Sequence, residues 1–311
     1  MPTAAATTTA PDPGRLLNTL NKIILGKPQQ LRLALACILA NGHLLIEDLP
    51  GMGKTTLAHA LAAVLGLSFN RIQFTSDMLP ADILGVSIYQ PERHVFTFHP
   101  GPVFAQLVLA DEINRATPKA QSALLEAMAE QQVTAEGETH ALPSPFFVIA
   151  TQNPQQLIGT FPLPESQLDR FLMRIHMGYP DREAERQLLE GQDRTHLLAS
   201  VRALISGEEL ISLQENTRRI HCSRALMDYV QDLLDATRHH PDVAHGLSPR
   251  AGLALLNSAR AWALLDRRDM VIPEDVQAVA PSVMDHRLQA SNNAVSNAQL
   301  AQQIIEQVAI P

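Results

Sequence analysis

Two glycines followed by a lysine and a threonine, with a pair of adjacent carboxylates further along, are residue types that handle a polyphosphate. The run is Glu47-Asp48-Leu49-Pro50-Gly51-Met52-Gly53-Lys54-Thr55-Thr56. Gly51 and Gly53 let the backbone come close to a ligand where a Cβ would clash. The loop and the start of a following helix would aim N–H groups at phosphates. Lys54 would pair with the β- and γ-phosphates, and the Thr55 hydroxyl would ligate Mg2+. The nucleotide-binding set is therefore Pro50, Gly51, Met52, Gly53, Lys54, Thr55 and Thr56. One position departs from the usual G-x-x-x-x-G-K-[ST] spacing, because Asp48 stands where the first glycine belongs. A carboxylate about 8 Å from a phosphate charge would cost about 2 kcal/mol at an effective dielectric near 20. Asp48 is thus expected to turn away or to accept a loop N–H. Taken alone, the segment also fits a glycine-rich strand-to-helix turn that binds nothing.

The second element of the chemistry is Leu107-Val108-Leu109-Ala110-Asp111-Glu112. An apolar strand ending in two carboxylates beside a phosphate loop suits metal-assisted hydrolysis. Asp111 would hold the Mg2+ shell and Glu112 would act as general base on the attacking water. A third strand ends in Ala150-Thr151-Gln152-Asn153-Pro154, placing the Asn153 amide where it could orient that water. Arg170 and Arg250 are candidates to meet charge developing on the γ-phosphate. Each also fits a salt bridge at a helix end, and the residues alone leave both readings open.

These side chains need a scaffold, and the hydrophobic pattern supplies one. Leu44–Glu47, Phe69–Phe74, Leu107–Ala110, Phe146–Thr151 and Leu172–Met177 are short apolar runs of the kind covered on both faces in a parallel sheet. Helix-length stretches such as Thr55–Leu65 and Lys119–Glu130 lie between them, which predicts an α/β domain. After Tyr179-Pro180-Asp181 helical periodicity takes over, with Asp181 as a cap. Arg224–His239, Ser248–Leu265 and Pro273–Arg287 are the clearest helices. The division expected is a disordered tail over 1–14, an α/β core over 15–180 and a smaller all-α domain over 181–311.

Composition narrows the functional classes. The 311 residues are 46% hydrophobic and 18% charged with a net charge of −8, which disfavours a nucleic-acid or anionic-lipid binder. Cys37 and Cys222 form no disulfide framework, and no apolar run is long enough to span a bilayer, so a cytoplasmic setting is expected. The N-terminal stretch does not read as a secretory signal. The histidines His239, His240 and His245 lack companions at metal-ligand spacing. Asp266-Arg267-Arg268-Asp269 reads as a solvated helix end and Trp262 as core.

Taken together, the motifs resemble an AAA+ ATPase, and more narrowly a MoxR-family member of the helix-2-insert clade. The carriers are Glu47 to Thr55, Asp111-Glu112-Ile113-Asn114-Arg115-Ala116 with Gln121 to Met128, Ala150 to Pro154, Leu168-Asp169-Arg170-Phe171 and Ser248-Pro249-Arg250-Ala251. The resemblance implies a phosphate-loop core with a parallel five-stranded sheet, followed by an all-α lid domain. It implies ATP and Mg2+ as cofactors and a homo-oligomeric ring, usually a hexamer, with ATP at subunit interfaces. In that frame Asn153 is the sensor-1 residue, Arg170 the arginine finger, Arg250 the sensor-2 residue and Glu112 the Walker B base. Arg115 would either approach a neighbouring subunit's nucleotide or cap the following helix. The inserted hairpin would be Val86–Gln90 and His94–Phe98 around Pro91-Glu92-Arg93. A second hairpin would fall within Gln132–Leu142, and the two would face the substrate.

The function implied is ATP-driven remodelling, maturation or activation of protein complexes, commonly alongside a partner with a von Willebrand factor A domain. A hairpin-bearing nucleic-acid motor is the alternative, disfavoured by the acidic charge and the absence of a basic hairpin tip. A nucleotide-gated scaffold with little turnover is a third reading, opposed by the presence of Glu112, Asn153 and Arg170.

Overall fold

A computed structural model describes residues 12–154, 159–190, 198, 201–291 and 295–310. The expected tail therefore falls mostly on residues outside those described. The first helix starts at Pro13, two residues ahead of the expected core boundary, with the Asp12 carboxylate accepting from the Gly14 N–H.

Five parallel strands form one sheet in the order β2-β5-β8-β1-β9, where β1 is His43–Glu47, β2 Phe69–Gln73, β5 Leu107–Asp111, β8 Phe147–Gln152 and β9 Phe171–Ile175. Each of the five apolar runs is thus a strand, with ends shifted by one or two residues. Side chains alternate between the sheet faces, and both faces are dry. Leu44, Ile46, Leu109, Ile149 and Met173 join a core shared with helices Pro13–Ile23, Pro28–Leu39 and Lys54–Leu65. Leu45, Val108, Ala110, Val148 and Phe171 pack with Ile83 and helix Pro118–Glu130 on the other face.

The register decides what gathers at the sheet edge. Gln73 lies opposite Asp111, and Glu47 opposite Gln152, so the carboxyl ends of four strands finish side by side. Ligands of open α/β sheets bind at that edge.

Two antiparallel hairpins leave the core. The first pairs β3, Gly85–Gln90, with β4, Val95–Pro100; His94 adopts a left-handed φ of 53° and belongs to the turn rather than the strand. The second pairs β6, Gln132–Ala135, with β7, Glu138–Ala141. Phe98 stacks on His140 with ring centroids 3.9 Å apart, so the hairpins are tied together at their bases.

Among the described residues after Asp181, the regular elements are helices apart from two short strands. Asp181, Ser206, Ser223, Ser248 and Ser296 each cap a helix by accepting an N–H three residues on. Helix Pro249–Leu265 runs against Pro28–Leu39, so one continuous core links the helical part to the sheet. Trp262 is buried there, with the Arg32 guanidinium 4.0 Å above its ring.

Two expectations change. Helix Pro273–Met284 ends three residues earlier than its periodicity implied. The released Arg287 donates to the carbonyls of Phe171, Leu172 and Val283 and to Asp169, which fastens the lid to the start of β9. Asp266 to Asp269 is not a merely solvated helix end either. Arg268 pairs with the buried Asp275 carboxylate, and Arg267 reaches Asp12 at 2.6 Å.

Candidate active site

At the carboxyl edge of the sheet a cavity of about 440 Å³ is lined by Pro50, Gly51, Gly53, Lys54, Thr55 and Thr56, by Asp111 and Glu112, and by Thr151 to Asn153. Gly51 and Gly53 take φ values of 83° and 82°, which only glycine adopts without strain, and a Cβ built on either would meet nothing within 4 Å. The loop therefore wraps an open cradle. Helix Lys54–Leu65 begins at its rim, and its first-turn N–H groups have no partner within the helix.

Lys54 donates through Nζ to the carbonyls of Asp48 and Leu49, at 2.7 and 2.8 Å. Burial lowers its pKa, while Asp48, Asp111 and Glu112 act in the opposite sense. Asp48 itself turns away from the cradle. Its Oδ2 accepts from the Gly178 N–H at 2.6 Å and its Oδ1 from its neighbour Leu49 at 2.8 Å. The carboxylate ties the phosphate loop to the chain leaving β9.

Asp111 and Glu112 differ in their surroundings. Asp111 is buried, with Oδ1 accepting from the Thr151 hydroxyl at 2.6 Å. The same hydroxyl oxygen accepts from the Glu112 N–H at 2.9 Å. Glu112 sits in the left-handed region at φ 55°, a strained choice for a side chain of this kind and one concentrated at functional sites. The Glu112 carboxylate accepts from Gln73 Nε2 and Arg115 Nε, each at 2.9 Å on Oε2. Thr55 and Asp111 line one cavity, a hydroxyl and a carboxylate of the type that holds Mg2+ beside phosphates, so the donor set fits that cation.

Beyond the loop lies a second cavity of about 580 Å³, lined by Ile23, Ile24, Leu25, Lys27, Met52, Tyr179, Pro180, Leu188 and Leu189. It shares Gly51, Gly53 and Thr56 with the phosphate cavity, and its mostly apolar walls suit a flat organic ring.

Arg170 and Arg250 lie elsewhere. Both line a cavity of about 320 Å³ with Asn41, Gly42, His43, Asp169 and Arg287, and none of its lining residues is shared with the phosphate cavity. His43 opens β1 while Asp48 follows its end, so the two cavities sit at opposite ends of the strands, about 13 Å apart along β1 alone. Arg170 donates to the Leu125 carbonyl at 2.8 Å, and Arg250 lies 3.6 Å from Asp169. Burial lowers the His43 pKa to about 4, and the neutral ring accepts from the Val148 N–H, holding β1 to β8.

Residues 43–173 match the model of the ATPase family associated with various cellular activities, and residues 235–308 match an AAA lid domain. Chaperone MoxR1 of Mycobacterium tuberculosis is 42% identical, over 96% of this chain and 82% of its own. MoxR of Paracoccus denitrificans is 34% identical over 86% of each chain. The chain belongs to the MoxR family of AAA ATPases. A crystal structure of a candidate ATPase from Cytophaga hutchinsonii superposes with a TM-score of 0.87 at 35% identity, covering 96% of this chain and 94% of the other.

Within this MoxR-family site, sequence reasoning did not single out Arg71 or Gln73. Arg71 donates to Asp111 Oδ2 through Nη2 at 2.6 Å and Nε at 3.1 Å, and to Gln73 Oε1 at 2.7 Å. Both lie on one face of β2, two residues apart, and both line the phosphate cavity. The available signal was their spacing: residues alternating on a strand that ends beside a ligand edge point toward one another's neighbours. The walls from Ile23 to Lys27 and from Tyr179 to Leu189 carried no motif, because apolar contact leaves no distinctive residue type. Arg115, weighed between an interface and a helix cap, pairs with Glu112 within its own chain.

Proposed function

We propose that this chain hydrolyses ATP with Mg2+ as one subunit of a ring and uses the cycle to remodel protein complexes. The carrying observation is the division of parts. The phosphate loop, Asp111, Glu112 and Asn153 meet in one cavity, while Arg170 and Arg250 line another at the far end of the strands. Arginines so placed serve a neighbouring subunit's nucleotide, which makes a closed ring the economical assembly. The hexamer and a partner with a von Willebrand factor A domain belong to the same reading, as does a chaperone role like that named for MoxR1.

In this mechanism Lys54 and the loop N–H groups bind the β- and γ-phosphates. Thr55 and Asp111 would hold Mg2+, which would offset phosphate charge. Glu112 takes the proton of the attacking water, and Asn153 orients that water from the neighbouring strand end. Because Gln73 and Arg115 both donate to Glu112, the position of the base depends on β2 and on Arg115. Arg170 and Arg250 meet the developing charge from the adjacent subunit.

The first hairpin supports a protein client over a nucleic acid. Val86, Ile88, Tyr89, Val95 and Phe96 are all exposed, Phe96 by 69%, so its surface is apolar rather than basic. The experiment is phosphate release with Mg2+ for the wild type and for Glu112→Gln. Turnover should fall by at least about a hundredfold with nucleotide binding retained. A wild type that binds ATP and releases no phosphate would instead make the chain a nucleotide-gated scaffold.

A further inference from the structure

We propose that Arg71 competes with the divalent cation for Asp111, so that this arginine sets how much cation the site needs before it takes its nucleotide. The inference rests on the reading of Asp111 as the cation's carboxylate. Both oxygens of that buried carboxylate are engaged: Oδ1 by the Thr151 hydroxyl, and Oδ2 by two N–H groups of one guanidinium. A cation shell anchored on Asp111 needs the oxygen that Arg71 holds, since Thr151 is fixed from the strand next door.

Two positive groups cannot share that oxygen without strong repulsion at contact distance. The guanidinium must therefore move, and the geometry allows it. Arg71 stands on β2 opposite Leu109 and reaches forward by two pairs along the sheet to Asp111, which lies opposite Gln73. Its side chain is 47% exposed and borders the same cavity as Lys54 and Thr55. A phosphate in that cavity would accept from the displaced guanidinium. Arg71 thus keeps a buried carboxylate paired until a cation takes its place, which avoids the large penalty of an unpaired buried charge.

The test titrates MgCl2 against binding of a fluorescent, non-hydrolysable ATP analogue to the full chain, and repeats it with Mn2+ followed by electron paramagnetic resonance. Arg71→Gln should lower the half-saturating cation concentration by roughly two- to fivefold, the range expected for loss of a partly exposed ion pair. Arg71→Lys, which keeps the charge without the fork, should shift it less. An unchanged or raised requirement in Arg71→Gln, with folding verified by melting, overturns the proposal. Wild-type binding that ignores the cation, or an Asp111→Asn variant that responds to it as the wild type does, would overturn the Asp111 assignment itself and this inference with it.

Discussion

Asp48 occupies the position of the first glycine in the phosphate-loop spacing, and both of its carboxylate oxygens accept backbone N–H groups pointing away from the cradle. The geometry removes most of the electrostatic objection to an acid at this point and makes Asp48 a tie between the loop and Gly178. Asp48→Ala should therefore cost about 1.5–3 kcal/mol of stability, the range for hydrogen bonds to a charged group, measured by denaturant unfolding. If Asp48→Gly left stability unchanged and chiefly tightened ATP binding, the side chain would be a burden and not a tie. Cys37 behaves as a small buried hydrophobe: it is fully buried, its thiol donates to the His43 carbonyl, and burial raises its pKa.

At the scale of elements, the junction of β1, β9 and the end of helix Pro273–Met284 joins the phosphate loop to the lid. Arg174 bridges Glu47 at 3.0 Å and Asp285 at 2.7 Å, and His176 lies 3.5 Å from the same Asp285 oxygen. The hydrogen bond that the His176 ring gives to Asp285 raises the His176 pKa above 6.5. Burial pushes Asp285 upward, but its bonds with His176 and Arg174 outweigh this and hold it below 3.8. The signs follow by linkage. The His176 contribution is complete below pH 6.5 and is lost as pH rises through its raised pKa; that of Asp285 is present above pH 3.8 and is lost as pH falls through its lowered one. Melting temperature should therefore decline as pH rises above 6.5 more steeply in the wild type than in His176→Gln. The difference should be small, since His176 is half exposed and screened by solvent. Parallel pH profiles would remove His176 from the junction. Arg174→Met should act more strongly, because it leaves Glu47 and Asp285 without their shared cation, at a cost of about 3 kcal/mol or more.

For the molecule as a whole, the proposed ring would have each chain carry two halves of a site that it does not close on itself. Arg170 and Lys54 line separate cavities at opposite ends of the sheet. Arg170→Ala and Lys54→Ala should each abolish most turnover. When the two variants are mixed, some interfaces pair an intact phosphate loop with an intact arginine, and a fraction of the activity should return. A mixture no more active than its components would mean that Arg170 does not act on a neighbour. Turnover of the wild type should also fall on dilution, in step with dissociation measured by light scattering. Nothing in the described helices is long and apolar enough to cross a membrane.

The sequence by itself determined the five strands, the phosphate loop, Asp111, Glu112 and the helical second half. These are local properties: apolar runs of strand length, glycines where φ must be positive, and polar residues placed directly after strands. The two hairpins were also legible, since alternation and turn residues lie within a few positions of each other. Only the tertiary structure decided which strands are neighbours, and with that which side chains meet. Arg71 on Asp111, Gln73 on Glu112 and Arg174 between Glu47 and Asp285 join residues that are 39 or more positions apart. Each partner alone is an ordinary charged or polar residue on a strand or at the end of a strand or helix. The same holds for Arg170 and Arg250, which chemistry alone left between catalysis and a salt bridge. Their shared cavity, far from their own chain's phosphate loop, is a consequence of sheet order and lid packing, and no local pattern encodes it.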